Sequence, residues 1–325
     1  SLRDSPTISA KTRERVRAIA DKMGYRPDPE IARLMGRLRP SRVTQQSVVI
    51  AMLDLQSDQV VDEHPYIARL RNGIEKQVDH LGYGSTVLRL RDYDGSAAKL
   101  MRVIRNRGII GCILMPSNEP VKLDARVKWD GISVVAATSS VLAPRFHGVV
   151  PDQIHNSMAL VEDMYLRGYR QIGMILTESL EERTAHHYSL TMTWHGHRDQ
   201  ILILPDNVSA KENETRIAQW LEEHEVDVVL AQDTPIVERA IRRTHRGQGG
   251  IGLVSLSTIN QPGIAYQDER PEYIGESAVS LLAGMMHNNE SGIPVHPRVT
   301  TVDGEFRDAA SVAKRLPRRK KSNLR

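Results

Sequence analysis

Cysteine, aromatic side chains and long apolar runs are what this chain of 325 residues has least of. Its one cysteine, Cys112, has no partner within the chain. That excludes a disulfide-stapled scaffold and favours a reducing, cytoplasmic compartment. Phe, Trp and Tyr together make up 4% of the residues, few for a surface that stacks RNA bases or sugars. No segment approaches the ~18 consecutive apolar residues of a membrane-spanning helix. Nucleophile elbow, Walker loop and HExxH motif are all missing, and no pair of carboxylates stands in a catalytic frame, which speaks against an enzyme. Four histidines cluster at His186, His187, His195 and His197. Only His195 and His197 are spaced to chelate, and only from extended backbone, so they read as exposed helix and loop residues; no metal and no cofactor is expected. The glycine-rich run at 247–252 precedes a strand instead of following one and opening a helix, so it reads as a loop, not a dinucleotide fingerprint.

The charge is unevenly placed. The formal net value is +4, yet residues 1–45 carry eleven Lys/Arg against five Asp/Glu, and 314–325 carry seven against none. The 268 residues between them hold 26 basic and 35 acidic side chains, a net −9. Basic ends on an acidic body point to a polyanionic partner, because phosphate contacts dominate affinity for nucleic acid. The final segment, with Arg318-Arg319-Lys320-Lys321, reads by itself as a disordered solubilising tail.

Two helices are predicted in the first forty residues. Ser9 is placed to cap the first, and Val16, Ile19, Ala20 and Met23 form one apolar stripe on a basic rod. Gly24 closes it, and Pro27 and Pro29 prevent its continuation. Asp28 and Pro29 then open a second short helix on which Ile31, Leu34, Met35 and Leu38 repeat the spacing, with Arg33, Arg37 and Arg39 elsewhere on its surface, and Pro40 stops it. So short a helix is marginal alone. Its apolar face needs either the same helix of a second copy or a nucleic-acid groove.

From Ser47 the pattern changes to short β-branched runs alternating with helical stretches, the signature of parallel βαβ units. Strands are predicted at 48–53, 85–90, 109–115, 134–137 and 148–150, with helices at 67–81 and 97–105. A second set follows a helix at 153–167: strands at 171–176, 201–204, 226–230 and 252–256, with helices at 212–224 and 235–245. On the helix at 67–81, Ile67, Leu70, Ile74, Val78 and Leu81 share one face. Two such halves make two lobes with a cleft between them, and ligands of such sheets bind beyond the carboxyl ends of the strands.

The run Ser9-Ala10-Lys11-Thr12-Arg13-Glu14-Arg15-Val16, then Gly24-Tyr25-Arg26-Pro27, then Ile31-Ala32-Arg33-Leu34, resembles the lactose-repressor (LacI) family of bacterial transcription regulators. So does the end of the body: residues 267–275, then Ala278-Val279, Leu281-Leu282, Gly292-Ile293-Pro294 and Val302-Asp303-Gly304. The resemblance implies an α/β periplasmic-binding-protein-like core of parallel sheets flanked by helices, preceded by an all-α partial helix-turn-helix headpiece (1–27) and a hinge helix with its linker (28–45). The rest of the headpiece, with its recognition helix, is expected before Ser1. The core would span 46–313, with one lobe at 46–151 plus 266–293 and the other at 152–265 plus 294–310. The chain would cross between lobes near Pro151, near 263–267 and near 294–298. Leu34 would wedge into the operator's minor groove, with Arg33 and Arg37 beside it on DNA. Arg183, Gln232, Asp233 and Gln267 would face a small-molecule effector, a sugar or related metabolite; Asp233 also reads as a plain helix cap. Where family members often carry an acid, this chain reads Val254-Ser255-Leu256-Ser257, which argues against a sugar with the usual hydroxyl pattern. The implied protein is a homodimeric, cytoplasmic regulator of transcription, with operator DNA, an effector and a second copy of itself as partners. A solute-binding protein of a transport system with the same core, and an enzyme on a related scaffold, are the competing readings. The amphipathic, Arg-rich segment 9–39 favours the regulator.

Overall fold

The computed structural model describes residues 10–22, 48–56, 64–124, 126–244, 250–259 and 261–313. The second predicted helix, with Arg33, Leu34 and Arg37, and the basic tail lie outside them. The first helix, α1 (Ala10–Lys22), forms where its apolar spacing places it, with Lys22 in the last turn, where a cation meets the negative end of the helix dipole.

The body holds two six-stranded sheets. In the first, β1 (Val49–Asp54), β2 (Gly84–Arg89), β3 (Gly111–Leu114), β5 (Ser133–Ala136), β7 (His147–Pro151) and β13 (Val299–Val302) lie in the order β13-β7-β5-β3-β1-β2. Every pairing is parallel. The second has the order β14-β12-β11-β10-β8-β9, from β8 (Ile172–Thr177), β9 (Ile201–Leu204), β10 (Val228–Ala231), β11 (Gly252–Ser255), β12 (Ala265–Asp268) and β14 (Glu305–Arg307). Only β14 runs antiparallel, against β12. A two-stranded ribbon, β4 (Val121–Lys122) with β6 (Val141–Ala143), sits beside the first sheet.

Parallel strands need crossover helices, and these cover both faces of each sheet. One face of the first sheet packs on α2 (Pro65–His80) and α9 (Pro271–Asn288), the other around α3 (Ala97–Asn106). In the second sheet one face meets α4 (Gln153–Leu166), α5 (Glu178–Arg183) and α6 (His187–Trp194), and the other meets α7 (Ala210–Glu223) and α8 (Thr234–Arg243). The stripe on α2 is as spaced in the sequence: Ile67, Leu70, Ile74 and Val78 are buried. Each contributes about 1.5–3 kcal/mol of apolar burial. Leu81 is 37% exposed, because the helix has already ended at it. Where α2 crosses α9 the backbones nearly touch: a Cβ on Gly73 would lie 2.2 Å from Glu272 O, and one on Gly275 2.5 Å from Leu70 O. Cys112 is buried in β3, and burial pushes its thiol up to about 12. No helix among the described residues is long and apolar enough to cross a membrane.

The chain passes between the sheets three times. The first crossing follows β7, where Asp152 caps α4 through an Oδ1 that accepts from His155 N at 2.9 Å. The second comes after β12, at Glu269 and Arg270, later than the expected 263–267, because 265–268 pairs within the second sheet. The third lies at Asp303 and Gly304, later than 294–298. Residues 299–302 still pair with β7, and the second sheet is entered only at β14.

Candidate functional site

The cleft lies where the carboxyl ends of both sheets face each other. Gln56 follows β1, Ser117 and Asn118 follow β3, and Thr138 and Ser139 follow β5 on one side. On the other, Arg183 ends α5, Gln232 follows β10, Ser257 follows β11 and Glu269 follows β12. His64 and Tyr66, at the start of α2, close one end of it. The inner cavity measures about 80 Å³. It adjoins an outer cavity of about 550 Å³ lined by Thr177, Ser179, Asp206, Asp233 and the start of α8. Four residues line both: His64, Asn118, Arg183 and Gln232.

The inner wall carries a buried relay. Tyr188 donates its hydroxyl to Gln153 Oε1 at 2.6 Å, and Gln153 Nε2 donates to Glu269 Oε1 at 3.2 Å. Glu269 is 5% exposed, and burial pushes its carboxyl up to about 7, only partly opposed by the Arg183 charge and by its hydrogen bonds. Burial likewise raises the phenols of Tyr66 and Tyr188. Arg183 is affected in the opposite sense, since desolvation disfavours its cation, while Tyr188, Glu269, Tyr66 and Asp206 support it. Its Nε is shut away from solvent without a hydrogen-bond partner. Burial, and then the nearby Arg183 charge, hold His64 below its ordinary value.

Behind the relay, Asp268 is the hub of the lobe crossings. It accepts from Arg69 Nη1 at 2.9 Å, Arg270 N at 3.0 Å, Thr258 Oγ1 at 3.3 Å and Arg307 Nε at 3.4 Å. Burial works against its charge, yet these donors hold it below the ordinary carboxylate range. Asn156 Oδ1, on α4, accepts from Gly304 N at 2.8 Å and ties the first crossing to the third.

The four expected effector residues are thus distributed. Arg183 and Gln232 line both cavities. Asp233 lines the outer one and also caps α8, accepting from Ile236 N at 3.3 Å. Gln267 is buried behind the main cavity, against a small void shared with Gln153 and Glu269. Sequence reasoning missed Glu269, Tyr188, His64 and Tyr66. Glu269 stands just past β12, at the second crossing, where no strand or helix period marks a side chain as turning inward.

The four histidines do not converge, and no group of three or more candidate ligands for a metal ion occurs among the described residues. His186 Nδ1 lies 3.2 Å from Glu181 Oε2. His197, expected to be exposed, is buried with its Nε2 2.6 Å from the Tyr165 hydroxyl.

Residues 55–293 match the family described as periplasmic binding proteins and sugar-binding domain of the LacI family. No curated protein matches the chain. Among solved structures, a transcription regulator-like protein from Staphylococcus haemolyticus is similar with a TM-score of 0.61 at 12% identity, over 83% of this chain and 100% of that one. The transcriptional regulator CelR in complex with cellobiose gives 0.59 at 14% identity, over 94% and 92%. A LacI-family transcriptional regulator from Enterococcus faecium with bound ribose also gives 0.59 at 14% identity, over 82% and 100%. At such identities these likenesses speak for the fold.

Proposed function

This chain belongs to the family of periplasmic binding proteins and sugar-binding domains of LacI regulators, and from that membership we propose that it is a ligand-responsive, DNA-binding regulator of transcription. It acts as a homodimer, with operator DNA and a small-molecule effector as its partners. A repressor of a carbohydrate or related catabolic operon is the form this reading takes. The effector sits in the cleft between the lobes, against Arg183 and Gln232, with Asp233 and Gln267 in supporting positions. The Leu34 segment, with Arg33 and Arg37, docks on the operator. The mechanism is linkage: an effector that binds one lobe arrangement better shifts the population able to dock on DNA.

The observation that carries the regulator over a transport protein is the basic stretch ahead of the core. It holds eleven Lys/Arg in 45 residues, and α1 lies within it. A protein that only carries solute has no use for such a segment, whereas phosphate contacts do. Of the solved structures named, two are transcriptional regulators with a sugar bound and one is a transcription regulator-like protein.

Selection of binding sites from random duplexes tests this, using the natural full-length protein with any residues that precede Ser1. We expect a site with two related halves, bound at roughly 10⁻⁸–10⁻¹¹ M. Leu34→Ala should weaken binding and lessen the DNA bend while leaving the melting temperature of the free protein unchanged. Recovery of no preferred sequence would overturn the proposal.

A further inference from the structure

We propose that the ligand of this cleft is an anion, a small hydroxylated molecule bearing a carboxylate or a phosphate, and that its charged group docks on Arg183. The proposal rests on the reading of the cleft as the effector site and narrows it to a chemical class.

Arg183 stands where the inner and outer cavities meet, lining both. Its Nε is buried without a partner, and among the described residues the guanidinium makes no hydrogen bond and no ion pair. A cation taken out of water is stable only when paired, and a guanidinium presents a planar fork suited to two oxygens of one anion. The acids nearby do not supply them. Asp206 accepts from Ser179 N at 2.8 Å and from Ser179 Oγ at 2.9 Å, at the start of α5. Asp233 is engaged as the cap of α8. Glu269 is bound to Gln153, and with its carboxyl at about 7 it offers only part of a charge at neutral pH. Arg183 is thus the one Lys or Arg among the described residues lining the two cavities, and no neighbouring carboxylate occupies its fork.

The remaining polar wall is neutral. The side chains of Asn118, Ser139 and Gln232 make no hydrogen bond to other described residues and line the cavity. They can meet ligand hydroxyls as donors and acceptors. An anion seated on Arg183 also faces Glu269, whose other neighbours are Tyr66, Tyr188, Gln153, Thr258 and Asp268. None of these adds a positive charge, so the anion favours the protonated carboxyl. Binding then takes up a fraction of a proton near pH 7, and affinity falls as pH rises through it.

Calorimetric titration of the chain tests this with matched probes. The carboxylate arm is gluconate and glucuronate, the phosphate arm ribose 5-phosphate, and the neutral arm glucose and ribose. We expect one charged arm to bind at least tenfold more tightly than the neutral arm; which one identifies the source of the charge. Arg183→Gln should weaken that binding roughly 10–100-fold, the range for a hydrogen-bonded charged group. Arg183→Lys should recover part of it. Titration of wild type in two buffers of different ionisation enthalpy should show proton uptake for the anion and none for the neutral sugars. Neutral probes binding as tightly as charged ones, or full anion affinity in Arg183→Gln, would overturn the anion class and leave the cleft reading intact. Binding of no probe from any arm would overturn both.

Discussion

Replacing Glu269 by glutamine removes a charge that the fold holds at a cost. The carboxyl is 5% exposed, and burial moves it from an ordinary 4.5 to about 7 in the folded chain. The unfolded chain releases its proton near the ordinary value. Between about pH 4.5 and about 7 the folded protein therefore keeps a proton that the unfolded one has lost, and wild-type stability falls as pH rises across that window. Above about pH 7 both forms are ionised and the penalty is constant. At about 1.36 kcal/mol for each unit of displacement, it amounts to roughly 2–4 kcal/mol. Glutamine keeps an acceptor for Gln153 Nε2 and carries no charge. At pH 8 the variant should melt roughly 4–16 °C above wild type, taking about 2–4 °C per kcal/mol for a large domain. At pH 5 the two should nearly coincide. Thermal melts by circular dichroism at both pH values decide it. A variant less stable than wild type at pH 8, or a difference equal at pH 5 and pH 8, would refute the idea that burial of this carboxylate strains the fold.

Asp268→Asn should destabilise by about 1–3 kcal/mol, since Arg69 and Arg307 keep Glu272 and Glu305 but lose a shared charged acceptor. Because the folded carboxyl titrates below its ordinary value, the loss should be full at neutral pH and shrink as pH falls below about 4, as urea midpoints at the two pH values would show. Gly275→Val should cost more than about 2 kcal/mol and lower the melting temperature, because its Cβ would press on the backbone of α2 at Leu70 and Ile74. Native Cys112 should resist a thiol reagent at pH 8 and react only on unfolding; rapid labelling of the folded chain would contradict its burial in β3.

The layered α/β body was legible because its chemistry is periodic. Apolar runs such as Val49–Asp54 and the stripe through Ile67, Leu70, Ile74 and Val78 each carry one reading, and the structure follows it. Between Thr177 and Asn207 the strand at 201–204 was legible but the two helices before it were not. The helix α6 buries Tyr188, Thr191 and Met192 yet leaves Leu190 and Trp194 exposed, so no face of it is distinctly apolar. The second and third crossings were placed early for a related reason. Residues 299–302 form an edge strand with an exposed surface, and only pairing with β7 assigns them to the first sheet. Gln232 stands just past the predicted strand at 226–230, whereas Arg183, at the end of a helix that no periodicity announced, was named from the resemblance alone. Glu269 belongs to a crossing, where no periodicity marks which side chain turns inward.

The site and the crossings share residues, which would give the proposed linkage a physical source. Gln153 begins α4 just after the first crossing and donates to Glu269 in the second, while Asp268, the neighbour of Glu269, binds Arg69 of the first lobe and Arg307 of the second. Asn156, one turn along α4, holds Gly304 in the third. A ligand shifts the balance between lobe arrangements only by the difference in its affinity for them. A group that meets Glu269 changes the charge and hydrogen bonding of a side chain within that brace. It therefore distinguishes two arrangements even where its contacts to the lobes themselves are alike. A ligand confined to the outer cavity, against Asp206 and α8, touches none of the crossing residues. It should bind without moving the lobes, and Gln153→Ala should abolish the response to a cleft ligand more than it weakens the binding. Operator release and ligand affinity, measured side by side on that variant, would separate the two effects, and an equal loss in both would show that Gln153 serves binding alone.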